Sequence, residues 1–138
     1  TPFSGAYCAT KAAVHSLSDA LRIELKPFAI DVLVIQPGAI QSNFGATASA
    51  GVAQRQDQLG IYAPVADAIA ARANASQQNA TPTQDFARQM ADVILAKKPI
   101  AFTRIGHGSR LLPLIQRLLP VAIRDHILAK RFALDKPL

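Results

Sequence analysis

The sequence predicts an α/β fold in which helices alternate with short strands of a parallel sheet. A helical pattern over residues 4–25 leads into an apolar run at 30–35, and a second helical pattern over 83–96 leads into a run at 100–105. This alternation is typical of domains built on a parallel sheet. The chain has 138 residues, half of them apolar, which is enough for one domain with a buried core.

The first helix is expected to begin after Ser4 and to end before Pro27. Serine commonly caps a helix N-terminus, and proline cannot continue a helix. Between them, small and apolar side chains recur at spacings of three and four. This spacing predicts one helix face made of Ala6, Ala9, Ala13, Leu17, Leu21 and Leu25.

The run Ile30–Ile35 is rich in β-branched residues and predicts the first strand. Strands of parallel sheets are usually covered by helices on both faces and read as nearly continuous apolar runs. We therefore expect this strand to be buried on both faces. Pro37-Gly38 is expected to end it.

A segment rich in Ala, Gln, Gly and Ser covers residues 45–80. It predicts a helix over about 64–75, with Pro64 in the first turn, where proline is tolerated. The remainder is expected to be a mobile insert. A connection this long after a strand often carries function.

The second helix-to-strand unit lies at residues 81–105. Thr83 is expected to cap a helix that runs to about Ala96. Basic residues and a proline at 97–99 are typical of a helix C-terminus. The run Ile100–Ile105 then predicts the second strand.

The tail, residues 106–138, is basic and rich in leucine. Residues 97–138 hold nine Lys/Arg and two Asp, so all the basic excess of the chain lies there. We expect two short helices, over about 108–118 and 120–131. Their apolar face can pack on the domain or on a neighbouring subunit. Alternatively, 108–131 can make a peripheral contact with an anionic membrane.

Several classes of function are disfavoured by composition. The tail has few aromatic residues for base stacking, so we expect no nucleic-acid partner. The single Cys and the scattered His predict no disulfide and no metal site. No apolar run reaches the roughly 18 residues of a membrane span, and no signal-peptide pattern opens the chain. A cytoplasmic protein is expected.

Tyr7 and Lys11 form the most informative pair of residues in the sequence. Residues four apart on a helix share a face, with Cβ atoms about 5–6 Å apart. A free phenol has a pKa of about 10, and a neighbouring positive charge favours the phenolate. Such a phenol can exchange a proton with an alcohol or a carbonyl oxygen. On spacing alone, an ordinary surface helix is the more common explanation of such a pair.

The residues around this pair carry a resemblance to a known family. Ser4-Gly5-Ala6 before Tyr7, Ala12-Ala13 after Lys11, and the sequence Pro37-Gly38-Ala39-Ile40-Gln41-Ser42 follow in one order and spacing. This stretch resembles the active-site region of the short-chain dehydrogenase/reductases. The resemblance is specific over about 1–44 and looser over 81–105. It implies the C-terminal half of a Rossmann-type doubly wound parallel sheet, with about two strands retained and a helical tail.

The resemblance also implies roles for individual residues. Tyr7 would be the catalytic acid/base, and Lys11 would bind the nicotinamide ribose hydroxyls and favour the phenolate. The cofactor would be NAD or NADP. Further cofactor contacts fall on Pro37, Gly38, Ile40 and Ser42.

Other parts of the family pattern are not found in these 138 residues. The family has a glycine-rich phosphate turn after its first strand and a catalytic serine about a dozen residues before the tyrosine, whereas six residues precede Tyr7. Gly106-His107-Gly108 lacks a third glycine and the surrounding βαβ pattern, and is interpreted as a turn. We therefore expect this chain alone not to turn over substrate.

The sequence thus predicts a single partial domain of four segments: 1–44 with the active-site helix, 45–80 as substrate-loop insert, 81–105 with the last strand, and 106–138 as tail. The expected activity is hydride transfer between a nicotinamide cofactor and a secondary alcohol or carbonyl compound, with a preference for lipophilic substrates. A homo-oligomer is expected. The alternative is a non-catalytic interaction or dimerisation module derived from this fold.

Overall fold

The structure, a computed structural model, describes residues 1–137, with only the backbone of Leu112. Leu138, the last residue of the predicted tail, lies outside the described residues. Within them the chain forms α1 (Gly5–Glu24), β1 (Val34–Pro37), α2 (Phe44–Ala53), α3 (Ala66–Asn74), α4 (Thr83–Ile94), β2 (Phe102–Ile105), α5 (Leu111–Leu118) and α6 (Val121–Arg131).

The two strands form one parallel sheet. Val34 lies opposite Phe102, and Pro37 lies opposite Ile105. Each strand follows a helix, so the predicted α/β class is confirmed, as part of a Rossmann-type sheet. In a parallel sheet the carboxyl ends of the strands share one edge, where ligands bind in folds of this class.

Strand β1 differs from its prediction. It begins at Val34 rather than Ile30, because the Val34 N–H donates to the Ala101 carbonyl (2.8 Å) and pairing with β2 starts there. Val34 is the only buried residue of β1. The prediction of a strand buried on both faces is therefore wrong, because the described helices leave its remaining residues partly exposed.

The insert is more helical than its composition suggested. Helix α2 was not predicted, although alanine, the best helix former, recurs in it. The predicted helix at 64–75 is found as α3, after a short 3₁₀ segment, Gly60–Val65, that contains Pro64. Helices α2 and α3 pack against each other.

Two predicted helix caps are not formed. Ser4 occupies the position before α1 without a capping hydrogen bond from its side chain. Thr83 is the first residue of α4, and Pro82 takes the cap position. The Thr83 hydroxyl instead donates to the Gln41 carbonyl (2.6 Å). A long-range contact has replaced the predicted local one.

The tail folds into α5 and α6, as expected; α5 starts three residues and α6 one residue later than predicted. Phe132, just after α6, is buried, and its ring lies edge-on to Phe3 with centroids 5.8 Å apart. This contact attaches the tail to the residues before α1. None of the helices described is long and apolar enough to cross a lipid bilayer.

The described core is small. Val34, Val65, Ile105 and Phe132 are its buried apolar residues, and α1 contributes none. The accessible surface is 10213 Å². A compact monomer of this mass exposes roughly 6,900 Å². The described residues therefore leave about 3,300 Å² more surface exposed than a compact domain does, and the apolar face of α1 is part of it.

Shortening a core side chain tests this assignment of the core. Ile105→Val should lower the free energy of unfolding by about 1 kcal/mol, because Ile105 is 4% exposed and loses one buried methylene. Ile100→Val is the matched control at 69% exposure. Urea unfolding of both variants measures the difference. Equal effects would contradict the assignment.

Candidate active site

The first turns of α1 bring Tyr7 and Lys11 together. The Lys11 Nζ lies 5.4 Å from the centroid of the Tyr7 ring. Both side chains are exposed, with Tyr7 at 45%. A cation over an aromatic face is attracted by the ring quadrupole, so each side chain restrains the other. The phenol and the amine thus meet at the start of the helix, as the four-residue spacing predicted.

Tyr7 lines a cavity of about 300 Å³ between α1 and the insert. The opposite walls come from α2 and α3, which contribute Phe44, Ala48, Val52, Ile69 and Ala73. Arg72 is the charged residue in the lining, and its Nε donates to the Thr1 hydroxyl (3.0 Å). The cavity therefore presents one phenol in mostly apolar surroundings.

Aromatic contacts shape this cavity. The rings of Tyr7 and Phe44 lie 5.6 Å apart between centroids, so the first residue of α2 approaches the phenol. Phe3 also lines the cavity and meets Tyr62 edge-on at 6.1 Å. Tyr62 itself is not among the lining residues. Tilted and edge-on arrangements are the favoured ones for aromatic pairs.

Gly38 occupies the tightest position in the loop after β1. A methyl group on its Cα would overlap the carbonyl oxygen of His107 and come within 2.9 Å of the Ser109 nitrogen. The Ala39 N–H donates to the same His107 carbonyl (2.9 Å). Only glycine lets the loop approach the segment after β2 so closely.

Gln77 holds the same loop from the side of the insert. Its Nε2 donates to the Ile40 carbonyl (3.3 Å), and its Oε1 accepts the Ser42 N–H (3.3 Å). The sequence did not predict a role for this residue. No local pattern identifies it, because its partners lie 37 and 35 positions away.

The proposed cofactor residues of the loop have mixed surroundings. Pro37 and Ser42 are exposed. The Ser42 hydroxyl accepts the Phe44 N–H (3.4 Å), so its hydroxyl and amide both bond within the protein. Ile40 is half-buried, and its Cδ1 lies 2.5 Å from where a Gly106 Cβ would stand. Its side chain thus packs towards the segment after β2.

Across residues 1–137, no group of three or more His, Cys, Asp or Glu is placed to hold a metal ion. The chemistry available at the α1 site is that of a phenol, an amine and an apolar cavity.

Comparisons with known proteins show what the chain is similar to. A family model described as short chain dehydrogenase matches residues 1–53. A probable short-chain type dehydrogenase/reductase, VdlC, from Helicobacter pylori is 33% identical over 91% of this chain. Human 17-beta-hydroxysteroid dehydrogenase type 2 is 32% identical over 96% of it. An NADPH-dependent 3-dehydrocapnine reductase from Ornithobacterium rhinotracheale is 28% identical over 94%.

The chain spans less than half the length of each of these relatives: 45%, 37% and 45% in the same order. No solved structure gives a significant match. The family model covers the phenol, the amine, the loop after β1 and α2, whereas α3 and Gln77 lie beyond it.

Proposed function

Because the chain belongs to the short-chain dehydrogenase/reductase family, we propose that its protein transfers hydride between a nicotinamide cofactor and a secondary alcohol or carbonyl compound. One observation carries the proposal. Tyr7 lines a mostly apolar cavity, and Lys11 Nζ lies 5.4 Å from its ring. A proton donor therefore lines a space that a substrate can enter, and a cation lies beside the ring of that donor, outside the lining.

In this proposal Tyr7 handles the proton. In the reducing direction its hydroxyl donates a proton to the carbonyl oxygen of the substrate, and in the oxidising direction it accepts the alcohol proton. The positive charge of Lys11 favours the phenolate that remains. A bound nicotinamide supplies or accepts the hydride.

The residues present fit the nicotinamide end of such a cofactor. The exposed Lys11 amine and the Tyr7 hydroxyl offer hydrogen bonds to ribose hydroxyls. The loop after β1 is hydrogen-bonded to Gln77 and packs on His107, so it provides a restrained surface against which the nicotinamide can lie. We propose NAD or NADP, and one relative is named as NADPH-dependent. Assays with both cofactors decide between them.

A lipophilic substrate suits the cavity. Its walls on α2 and α3 are mostly apolar. Burial of an apolar substrate against them is therefore favoured by about 25 cal/mol per Å² of apolar substrate surface removed from water. One relative is named as a hydroxysteroid dehydrogenase. We propose a secondary alcohol or ketone on an apolar skeleton. A panel of steroid and short-chain ketones tests this preference.

Removing the charge of Lys11 tests the assignment of the site. In the protein that contains this chain, Lys11→Met should raise the KM for the cofactor about tenfold, because a charge-assisted hydrogen bond is lost. Lys26→Met is the control, since Lys26 is exposed beyond the end of α1. Steady-state kinetics with varied cofactor measures both. An unchanged cofactor KM in Lys11→Met argues against the site.

We propose that the 138 residues by themselves do not turn over substrate. They contain no glycine-rich turn between strand and helix of the kind that holds a dinucleotide pyrophosphate. The alternative function is a non-catalytic interaction module. Robust carbonyl reduction by the purified chain contradicts the first proposal. If the protein that contains this chain is active and replacing Tyr7 leaves that activity unchanged, the interaction-module alternative is favoured.

The exposed apolar surface supports a homo-oligomer. The excess of about 3,300 Å² is total accessible surface, which either the rest of a longer domain or a second copy of the protein can cover. Exposed residues of α1 contribute to it, among them Val14, Leu17 and Ile23. Sedimentation velocity of the protein over a range of concentrations measures its assembly state. A single monomeric species at micromolar concentration contradicts this proposal.

A peripheral membrane contact of the tail is the remaining proposal for partners. Helix α5 exposes an apolar face beside Arg110 and Arg117. Basic amphipathic helices of this type bind anionic bilayers. Co-sedimentation with anionic vesicles at low salt measures it, and absence of binding removes it. The exposed apolar residues of α5 are Leu111, Leu114, Ile115 and Leu118.

A further inference from the structure

A second cavity, of about 570 Å³, lies beyond the carboxyl end of β2. It is bounded by the last residues of the strand, by the following segment Gly106–Arg110, and by Gln89 of α4. Its lining shares no residue with that of the Tyr7 cavity. Ligands of parallel α/β sheets bind at this edge.

The cavity is basic. Arg104, His107 and Arg110 line it, and no lining residue is an Asp or Glu. Within residues 1–137, neither arginine forms a salt bridge. The lining thus carries positive charge that no acidic lining residue offsets, and a bound anion would neutralise it. The arrangement therefore favours an anionic ligand.

Two contacts restrain the side chain of Arg104. Its Nε donates to the Gln36 Oε1 on the neighbouring strand (2.9 Å), and its guanidinium lies 4.9 Å from the centroid of the Phe102 ring. Among the hydrogen bonds of the described residues, its terminal nitrogens make none. A guanidinium with a fixed plane and free terminal nitrogens is suited to two parallel hydrogen bonds with an oxyanion.

The turn after β2 adds neutral polar groups and shape. Ser109 is only 9% exposed and lines the cavity. Gly106 and Gly108 have φ values of 93° and 73°, a conformation that side chains disfavour and that glycine adopts freely. Ile105 and Leu111 add apolar surface to the lining, so the cavity can hold a ligand with an apolar part as well as a charged group.

We propose that this cavity binds a small organic oxyanion, with a carboxylate or phosphate held between Arg104 and Arg110 and a short apolar body against Ile105 and Leu111. The site goes beyond the proposed hydride transfer and does not depend on Tyr7. It assigns to the segment after β2 a binding role that its sequence alone did not suggest.

Titration of the protein that contains this chain with inorganic phosphate and with glycerol 3-phosphate, at constant ionic strength in chloride, tests the proposal. Both should bind saturably, and Arg110→Gln should weaken them about tenfold through loss of one charge-assisted contact. Arg117→Gln is the matched control, because it removes the same charge from an exposed residue of α5 outside the cavity. It should change affinity less than twofold.

Two further measurements complete the test. In an NMR titration of the unaltered protein, the amides of Gly106, Gly108 and Ser109 should shift most on phosphate addition. Vesicles with and without phosphatidic acid distinguish a lipid headgroup from a free phosphate as the ligand. A site for a headgroup binds tightly only when the phosphate is presented on a bilayer, whereas a site for free phosphate does not need the bilayer. Equal weakening in both arginine variants, or amide shifts confined to other segments, overturns the proposal.

Discussion

Replacing Tyr7 with Phe is expected to lower kcat of the protein that contains this chain by at least about 100-fold, because general acid catalysis is worth roughly 10²–10⁴. The change removes one hydroxyl and keeps the ring that contacts Phe44 and Lys11. Stability and substrate binding should therefore change little. Steady-state kinetics with a ketone substrate, in both directions, measures the effect.

Tyr62 provides a matched control for that experiment. It is the only other tyrosine of the chain, and its exposure equals that of Tyr7 at 45%. Its ring contacts Phe3, but it does not line the cavity. Tyr62→Phe should retain kcat within about twofold of the parent, as expected for loss of an exposed hydroxyl. Similar losses in both variants would place the catalytic proton elsewhere.

Replacing Gly38 with Ala is expected to lower the free energy of unfolding by about 2 kcal/mol or more. The added methyl would overlap the backbone of His107, and the backbone of Ser109 is also close. Backbone atoms cannot rotate away as a side chain can, so the loop after β1 must move. Thermal and urea unfolding measure the loss of stability.

Gly51→Ala is the control for Gly38→Ala. Gly51 lies within α2, and a methyl group there meets no atom within 4 Å. Alanine should raise stability by about 0.5–1 kcal/mol, because glycine is the weaker helix former. If both alanine variants are equally stable, the close packing of Gly38 on the turn after β2 is not as described.

The sequence predicted the parts of this fold that depend on local patterns. The helical periodicity before Pro27 corresponds to α1, and the four-residue spacing placed Tyr7 beside Lys11. Strand ends were predicted less well. The start of β1 is set by its hydrogen bond to Ala101, a partner 67 positions away that no local window contains.

The walls of the candidate site depend even more on distant partners. Phe44 approaches Tyr7 because the chain turns at residues 38–43 and starts α2 there. The hydrogen bonds of Gln77 cross from the insert to the loop after β1. A glutamine in a segment of small polar residues carries no signal of such contacts.

The two hydrogen bonds of Gln77 give the insert and the loop a thermodynamic link. Gln77 ends the short 3₁₀ segment Ala75–Gln77 that follows α3, whose residues line the Tyr7 cavity, and it hydrogen-bonds to the main chain of Ile40 and Ser42. A ligand that displaces α3 outward strains those hydrogen bonds. A ligand that restrains the loop after β1 also restrains α3 through the same bonds. Such coupling is reciprocal by necessity, so each of two occupants changes the affinity of the other by the same factor.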